Sequence, residues 1–167
     1  EADYLGEAHH IYYNALSYAQ RPNGGFGCDH CAGARGDVWV RPHEKIFEAP
    51  WCCSMRGAEG LARAAQFAAF VNEARDEVWF AFYHEGEVTL RLAGGDVVLA
   101  CASEYPWRGR VSWTVRQAAG AAPAKLRFFV PPGVRTEAMV LRRGAETIAL
   151  QPQGEFVHAE IALRAGD

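Results

Sequence analysis

From residue 77 to the end of the chain, apolar residues recur every second position in short runs. Val78, Phe80 and Phe82 alternate, then Val88, Leu90 and Leu92, then Val97, Leu99 and Cys101. Val111, Trp113 and Val115 follow, then Leu126, Phe128 and Val130. Stretches 138–141, 148–150 and 157–163 complete the series. Turn signals separate the runs: Glu85-Gly86, Gly94-Gly95-Asp96, Pro131-Pro132-Gly133, Arg143-Gly144 and Pro152-Gln153-Gly154. Successive side chains of a strand point to opposite faces, so this rhythm gives each strand one apolar face. Short alternating strands at such spacing predict an antiparallel β-sandwich. Cys101 then lies on a buried strand face, and Tyr105-Pro106-Trp107 caps a strand end as a packing corner.

Upstream the period is helical. The spacing of Leu5, Ala8, Tyr12, Ala15, Leu16 and Ala19 predicts an amphipathic helix over 3–19, ended by Pro22-Asn23-Gly24-Gly25. His9 and His10 fall to its sides as surface or cleft residues. Adjacent positions on a helix diverge too far to chelate one ion together. A second helix is predicted from Ser54 as N-cap, with Met55, Ala58, Leu61, Ala62, Ala65, Ala68 and Ala69 on one face. Helix gives way to sheet near Asn72–Asp76. The fold class is therefore α+β, with a helical segment and long loop over 1–73 and a sandwich over 74–167.

The stretch 20–51 has little periodicity. Loops this long inside compact domains are usually functional or disordered. Trp39, Phe47 and Trp51 argue for order, either as pins to the helices or as platforms for a sugar ring. Five cysteines stand at 28, 31, 52, 53 and 101. An odd count with no secretory signal favours thiols or metal over a disulfide framework. Cys28-x-x-Cys31 reads equally as a metal-free loop pair or as half of a zinc site. With Cys52 and Cys53 it supplies four sulfurs, enough for a closed structural centre. Cys52 and Cys53 precede a helix N-terminus, with Arg56 within a turn. That setting favours thiolate over thiol, although adjacent cysteines also serve as small buried side chains.

A net charge of −3 and the absence of a basic block argue against a nucleic-acid partner. No apolar run is long enough to span a bilayer, which argues against a membrane partner. The charged opening Glu1-Ala2-Asp3 lacks signal-peptide character, and the expected location is cytoplasmic. The chain also lacks an initiating Met and ends on a turn-like Ala165-Gly166-Asp167, so it reads as a piece of a longer polypeptide.

The run Trp51-Cys-Cys-Ser-Met-Arg-Gly-Ala-Glu-Gly-Leu-Ala62, with Glu104-Tyr-Pro-Trp-Arg-Gly-Arg-Val-Ser-Trp-Thr-Val115 further on, resembles the β-L-arabinofuranosidase family, glycoside hydrolase family 127 and its relatives. The strand Lys125-Leu-Arg-Phe-Phe-Val-Pro-Pro132 and the closing Gly154-Glu-Phe-Val-His-Ala-Glu-Ile-Ala-Leu-Arg-Ala-Gly-Asp167 are similar to later parts of that family. Ala2-Asp-Tyr-Leu5 and Tyr13-Asn-Ala-Leu16 resemble one of its barrel helices. The resemblance implies helices from the end of an (α/α) barrel followed by an antiparallel sandwich. It also implies a retaining glycosidase acting on carbohydrate, with Cys52 as nucleophile and zinc ligand and Cys53 as second zinc ligand. In the family the remaining ligands, a Glu and a Cys, lie on a segment upstream of this region, as does the general acid. The expected partner is therefore the remainder of the same polypeptide, or an upstream helical-barrel segment. The chain departs from the family pattern at Pro50, where a Cys is usual, and at Ser54-Met55-Arg56, where Pro-Pro-Asn is usual. Two alternatives stand beside the hydrolase. One is a non-catalytic carbohydrate-binding or scaffolding sandwich. The other is a structural zinc module built on Cys28, Cys31, Cys52 and Cys53.

Overall fold

The computed structural model describes residues 4–20, 25–26, 55–120 and 122–167. The chain divides into two compact units, Glu1–Gln66 and Phe67–Asp167.

In the first unit, α1 (Tyr4–His10) runs into a π-helical segment, Ile11–Leu16, and then into α2 (Ser17–Ala19). The wider turn is marked by the Ser17 hydroxyl and the Ser17 N–H, both donating to the Tyr12 carbonyl five residues back. An α-helical repeat misplaces side chains beyond such a widening, and Ala15, expected on the buried face, is exposed. The buried positions are instead Gly6 and His9, the latter only 2 % exposed. His9 is thus a packed residue rather than a surface one, with its ring centroid 5.5 Å from that of Tyr13. His10 is exposed, as expected.

Helix α3 spans Met55–Gln66. Its packed stripe is Gly57, Gly60, Leu61 and Ala64, with Gly57 and Ala64 fully buried. The alanine face expected from the sequence points outward: Met55, Ala58, Ala62 and Ala65 are exposed. Glycine decides the matter. A Cβ on Gly57 would lie 2.3 Å from the buried Phe26 ring, and one on Gly60 would lie 2.9 Å from Leu16 Cδ2. Close approach of the helix backbone requires residues without side chains there, and a periodicity count of apolar residues passes over them.

The second unit is a sandwich. Its larger sheet runs β1 (Ala69–Val71), β2 (Glu77–Phe80), β6 (Ala122–Phe129), β10 (Phe156–Leu163) and β9 (Gln151–Gln153), in that spatial order. Its smaller sheet is the meander β3 (Gly86–Leu92), β4 (Gly95–Ser103) and β5 (Val111–Ala118). A hairpin of β7 (Leu141–Arg143) and β8 (Glu146–Ile148) follows a 3₁₀ turn at Thr136–Ala138. The inward faces share one core that includes Val78, Phe80, Leu90, Val97, Leu99, Val115, Leu126, Phe128 and Val157.

Most of the expected strands form, but of the expected runs 138–141 and 148–150 only Leu141 and Ile148 are strand, in a hairpin displaced to Leu141–Arg143 and Glu146–Ile148; four further differences stand beside this one. The pairings are antiparallel except β2 with β6, which is parallel from Glu77↔Lys125 to Phe80↔Phe128. Strand β2 ends at Phe80, because the N–H groups of Ala81 and Phe82 both turn to the Ala68 carbonyl, at 2.9 and 3.2 Å. Residues 81–83 are all buried, so Phe82 is core without being strand. The Pro152 stretch, expected as a turn, is the edge strand β9, a place where a missing N–H is tolerated. Finally, helix gives way to strand between Gln66 and Ala69, while Asn72–Asp76 is the β1–β2 turn. There Asn72 Oδ1 accepts from the N–H groups of Asp76 and Glu77, both at 3.0 Å, and Arg75 takes a φ of +59°.

The outward face of the larger sheet holds a buried charge. Arg127 donates through Nε and Nη2 to both carboxylate oxygens of Glu77, at 3.0 and 3.1 Å, and through Nη1 to Gln153 Oε1 at 2.5 Å. Its guanidinium lies 4.3 Å from the centre of the Trp79 ring. Planar charge, forked carboxylate and aromatic face suit one another.

Candidate functional site

Cys52 and Cys53, the expected nucleophile and metal ligands, lie outside the described residues, as do Cys28, Cys31 and Ser54. What is described is the helix they lead into. Its described span is Met55–Gln66, with Arg56 near the beginning of that span. Arg56 Nη1 donates to Glu59 Oε2 at 2.6 Å, an exposed pair one turn apart. The cation expected to favour a thiolate is therefore shared with a carboxylate of the same helix, which weakens its pull on a neighbouring anion.

The described residues contain no group of three or more His, Cys, Asp or Glu side chains placed to hold a metal ion. Cys101 is the one free cysteine among them. It is half-buried on β4, and burial, with a smaller push from Glu85, raises its thiol to about 11. A thiol so raised stays protonated at neutral pH and is neither a nucleophile nor a ready zinc ligand. Its expected place in the packing of a strand holds. At pH 7.5, iodoacetamide should modify Cys101 about two orders of magnitude more slowly than an ordinary surface thiol. Peptide mass spectrometry over time measures this; labelling at the ordinary rate contradicts the burial.

The sandwich unit carries an open groove. One part, about 490 Å³, is lined by Tyr83, Tyr105, Pro106, Trp113 and Met139 among others. A second part, about 770 Å³, shares Trp113 and Phe128 and runs on to Val115, Arg143 and Asp167. Tyr83 donates its hydroxyl to the Phe129 carbonyl and meets Tyr105 edge-on at 5.8 Å. Burial raises the Tyr105 phenol above its ordinary range. Of the expected corner Tyr105-Pro106-Trp107, only the first residue packs. Trp107 is 91 % exposed. The groove walls are largely apolar or aromatic, so the groove can hold apolar matter but does not itself supply an acid–base pair.

The sequence did not single out Arg127, Gly57 or Gly60. A cation in the middle of the alternating run Lys125-Leu-Arg-Phe-Phe129 was the available signal for the first. Two glycines three apart inside a helix were the signal for the others.

Comparison with known protein families and with curated proteins returns no match. Solved structures do share the fold. A glycoside hydrolase superposes with a TM-score of 0.71 over 98 % of this chain, at 17 % identity. A GH127 β-L-arabinofuranosidase from Geobacillus stearothermophilus T6 gives 0.59 over 69 %, at 18 % identity. A further GH127 β-arabinofuranosidase gives 0.52 over 65 %, at 14 % identity. The chain spans 27 %, 18 % and 19 % of those three structures, respectively. Likeness at this level of identity is likeness of fold.

Proposed function

We propose that this chain is part of a glycoside hydrolase of the β-L-arabinofuranosidase kind, in which Cys52 is the nucleophile of a retaining reaction. The observation that carries the reading is the shared fold over 98 % of the chain with a glycoside hydrolase. Among the described residues, Cys101 is no rival nucleophile.

In this reading Cys52 and Cys53 would hold a zinc ion, which would supply the positive charge that favours the Cys52 thiolate at neutral pH. The Cys52 thiolate attacks the anomeric carbon of a furanoside from the face opposite the leaving oxygen. A carboxylic acid protonates that oxygen as the glycosidic bond breaks. The resulting carboxylate then takes a proton from water, which attacks the anomeric carbon on the face opposite the sulfur and releases the Cys52 thiolate. The two inversions give net retention. The acid and the remaining ligands come from a helical-barrel segment upstream. The 167-residue chain alone therefore does not turn over an aryl arabinofuranoside. A cytoplasmic location fits, since a reducing compartment preserves thiols.

The test joins metal analysis to labelling in a polypeptide that includes the barrel segment. Zinc should be present and lost on Cys53→Ala, and an arabinofuranosyl electrophile should modify Cys52. Zinc retained in full by Cys53→Ala, or label found elsewhere while Cys52 stays free, overturns the assignment.

A further inference from the structure

The groove of the sandwich unit joins an apolar floor to a cationic border. In its larger part, about 770 Å³, Phe80, Leu126 and Phe128 are buried, and Val111, Trp113 and Leu141 are half-buried. The rings form one cluster. The Trp113 centroid lies 5.1 Å from that of Phe80, 5.3 Å from Phe128 and 6.0 Å from Tyr83. Three arginines line the same space: Arg110, directly before β5, and Arg142 and Arg143 of β7. Among the described lining residues Asp167 is the one acid, and its Oδ2 is already engaged. It accepts from the Arg164 N–H at 2.9 Å and lies 3.5 Å from Arg143 Nη2. Arg110 and Arg142 are exposed and form no ion pair among the described residues. Three cations against one carboxylate leave this border positive.

Arg143 carries the second observation. Its Nη2 donates to the Ala162 carbonyl at 2.9 Å. Its Nε is buried and has no hydrogen-bond partner. Nε–H and Nη2–H are the parallel pair with which a guanidinium grips a carboxylate. A buried donor without an acceptor is costly, so an anion oxygen arriving there relieves a penalty already present in the fold.

The two features together select the ligand. A neutral sugar leaves the positive border uncompensated, and a bare inorganic anion leaves the ring floor uncovered. An aliphatic chain covers the floor but adds no ring contact. A flat aromatic body extends the cluster at the spacing that rings prefer, about 4.5–7 Å between centroids. We propose that this groove binds a small aromatic carboxylate, its ring against Trp113 and its carboxylate on Arg143, with Arg110 and Arg142 adding positive potential. The cavity is of the size that holds small molecules. The inference holds whether or not Cys52 is a nucleophile.

Calorimetry and NMR titration of the 167-residue chain test it, with naphthalene-2-carboxylate as probe and naphthalene-2-carboxamide as its neutral counterpart. The acid should saturate one site and bind at least about tenfold more tightly than the amide, the worth of one charge-assisted hydrogen bond. It should shift the Trp113 indole N–H and Arg143 Nε–H signals. Arg143→Lys keeps the charge but loses the fork, and should weaken the acid about tenfold while leaving the amide unchanged. Arg110→Gln with Arg142→Gln, both at exposed positions, should weaken the acid and flatten its salt dependence. Equal binding of acid and amide, or shifts that bypass Trp113 and Arg143, overturn the proposal. So does octanoate binding as tightly as the aromatic acid, or the absence of saturable binding at millimolar acid.

Discussion

Arg127→Ala lowers the unfolding free energy of the chain by about 3–5 kcal/mol, the usual cost of removing one partner from a buried ion pair. The Arg127 side chain is 7 % exposed and that of Glu77 23 %. Without the guanidinium, Glu77 keeps, among the described residues, the Lys125 ammonium 3.9 Å away, and Trp79 loses the cation over its ring. The double variant Arg127→Met, Glu77→Leu should lose far less, within about 1–2 kcal/mol of the parent, because no charge is left stranded. The same pair sets an acid dependence. The Arg127 hydrogen bonds, then the Arg127 and Lys125 charges, hold the Glu77 carboxyl below its ordinary range against opposing burial and Asp76. A depressed carboxylate stabilises the fold above its unfolded value, about 4.3, and loses that contribution as pH falls through the folded value. Glu77→Gln should therefore be less stable at pH 7 and show a flatter decline below pH 4.5. Denaturant unfolding at several pH values measures both. Parallel pH curves for parent and variant would count against the pair.

Gly57→Val costs about 2–3 kcal/mol, measured by thermal or denaturant melting of the first unit. The new Cβ is placed 2.3 Å from Phe26 Cδ2, and ring atoms lie 2.4 and 2.6 Å away. Phe26 is only 4 % exposed, so the ring has little room to retreat. The better helix propensity of Val over Gly returns only a few tenths of a kcal/mol. Phe26→Ala alone should also destabilise, by about 3 kcal/mol, through the cavity it leaves. In combination the two should cost clearly less than their sum, because each removes the other's partner. Additive costs would mean that helix and ring do not meet.

The alternation that names a strand is local, and the meander shows how far it carries. Val88, Leu90 and Leu92 face one way, Ala93-Gly94 turns the chain, and the observed ladder closes at Leu92↔Gly95. The parallel pairing of Glu77–Phe80 with Lys125–Phe128 leaves no such local trace. It depends on a partner some fifty residues away, chosen by burial of both faces. Helix α3 was legible as a helix but not in its orientation, because the packed residues are glycines. The π segment adds a displacement that no 3.6-residue count contains. As for the candidate site, its helix is described over Met55–Gln66, while the cysteine pair lies outside the described residues.

The parallel pair also orders events during synthesis. Strand β2 is made long before its neighbour β6, and the whole meander β3–β5 is made between them. Local hairpins close fast, whereas distant pairings wait on the entropy of a large loop. A ribosome paused ahead of Phe129 therefore displays a chain in which Val78 and Phe80 sit on an open, sticky border. Slower elongation through that interval leaves this border uncovered for longer and gives clumping more time to compete with folding.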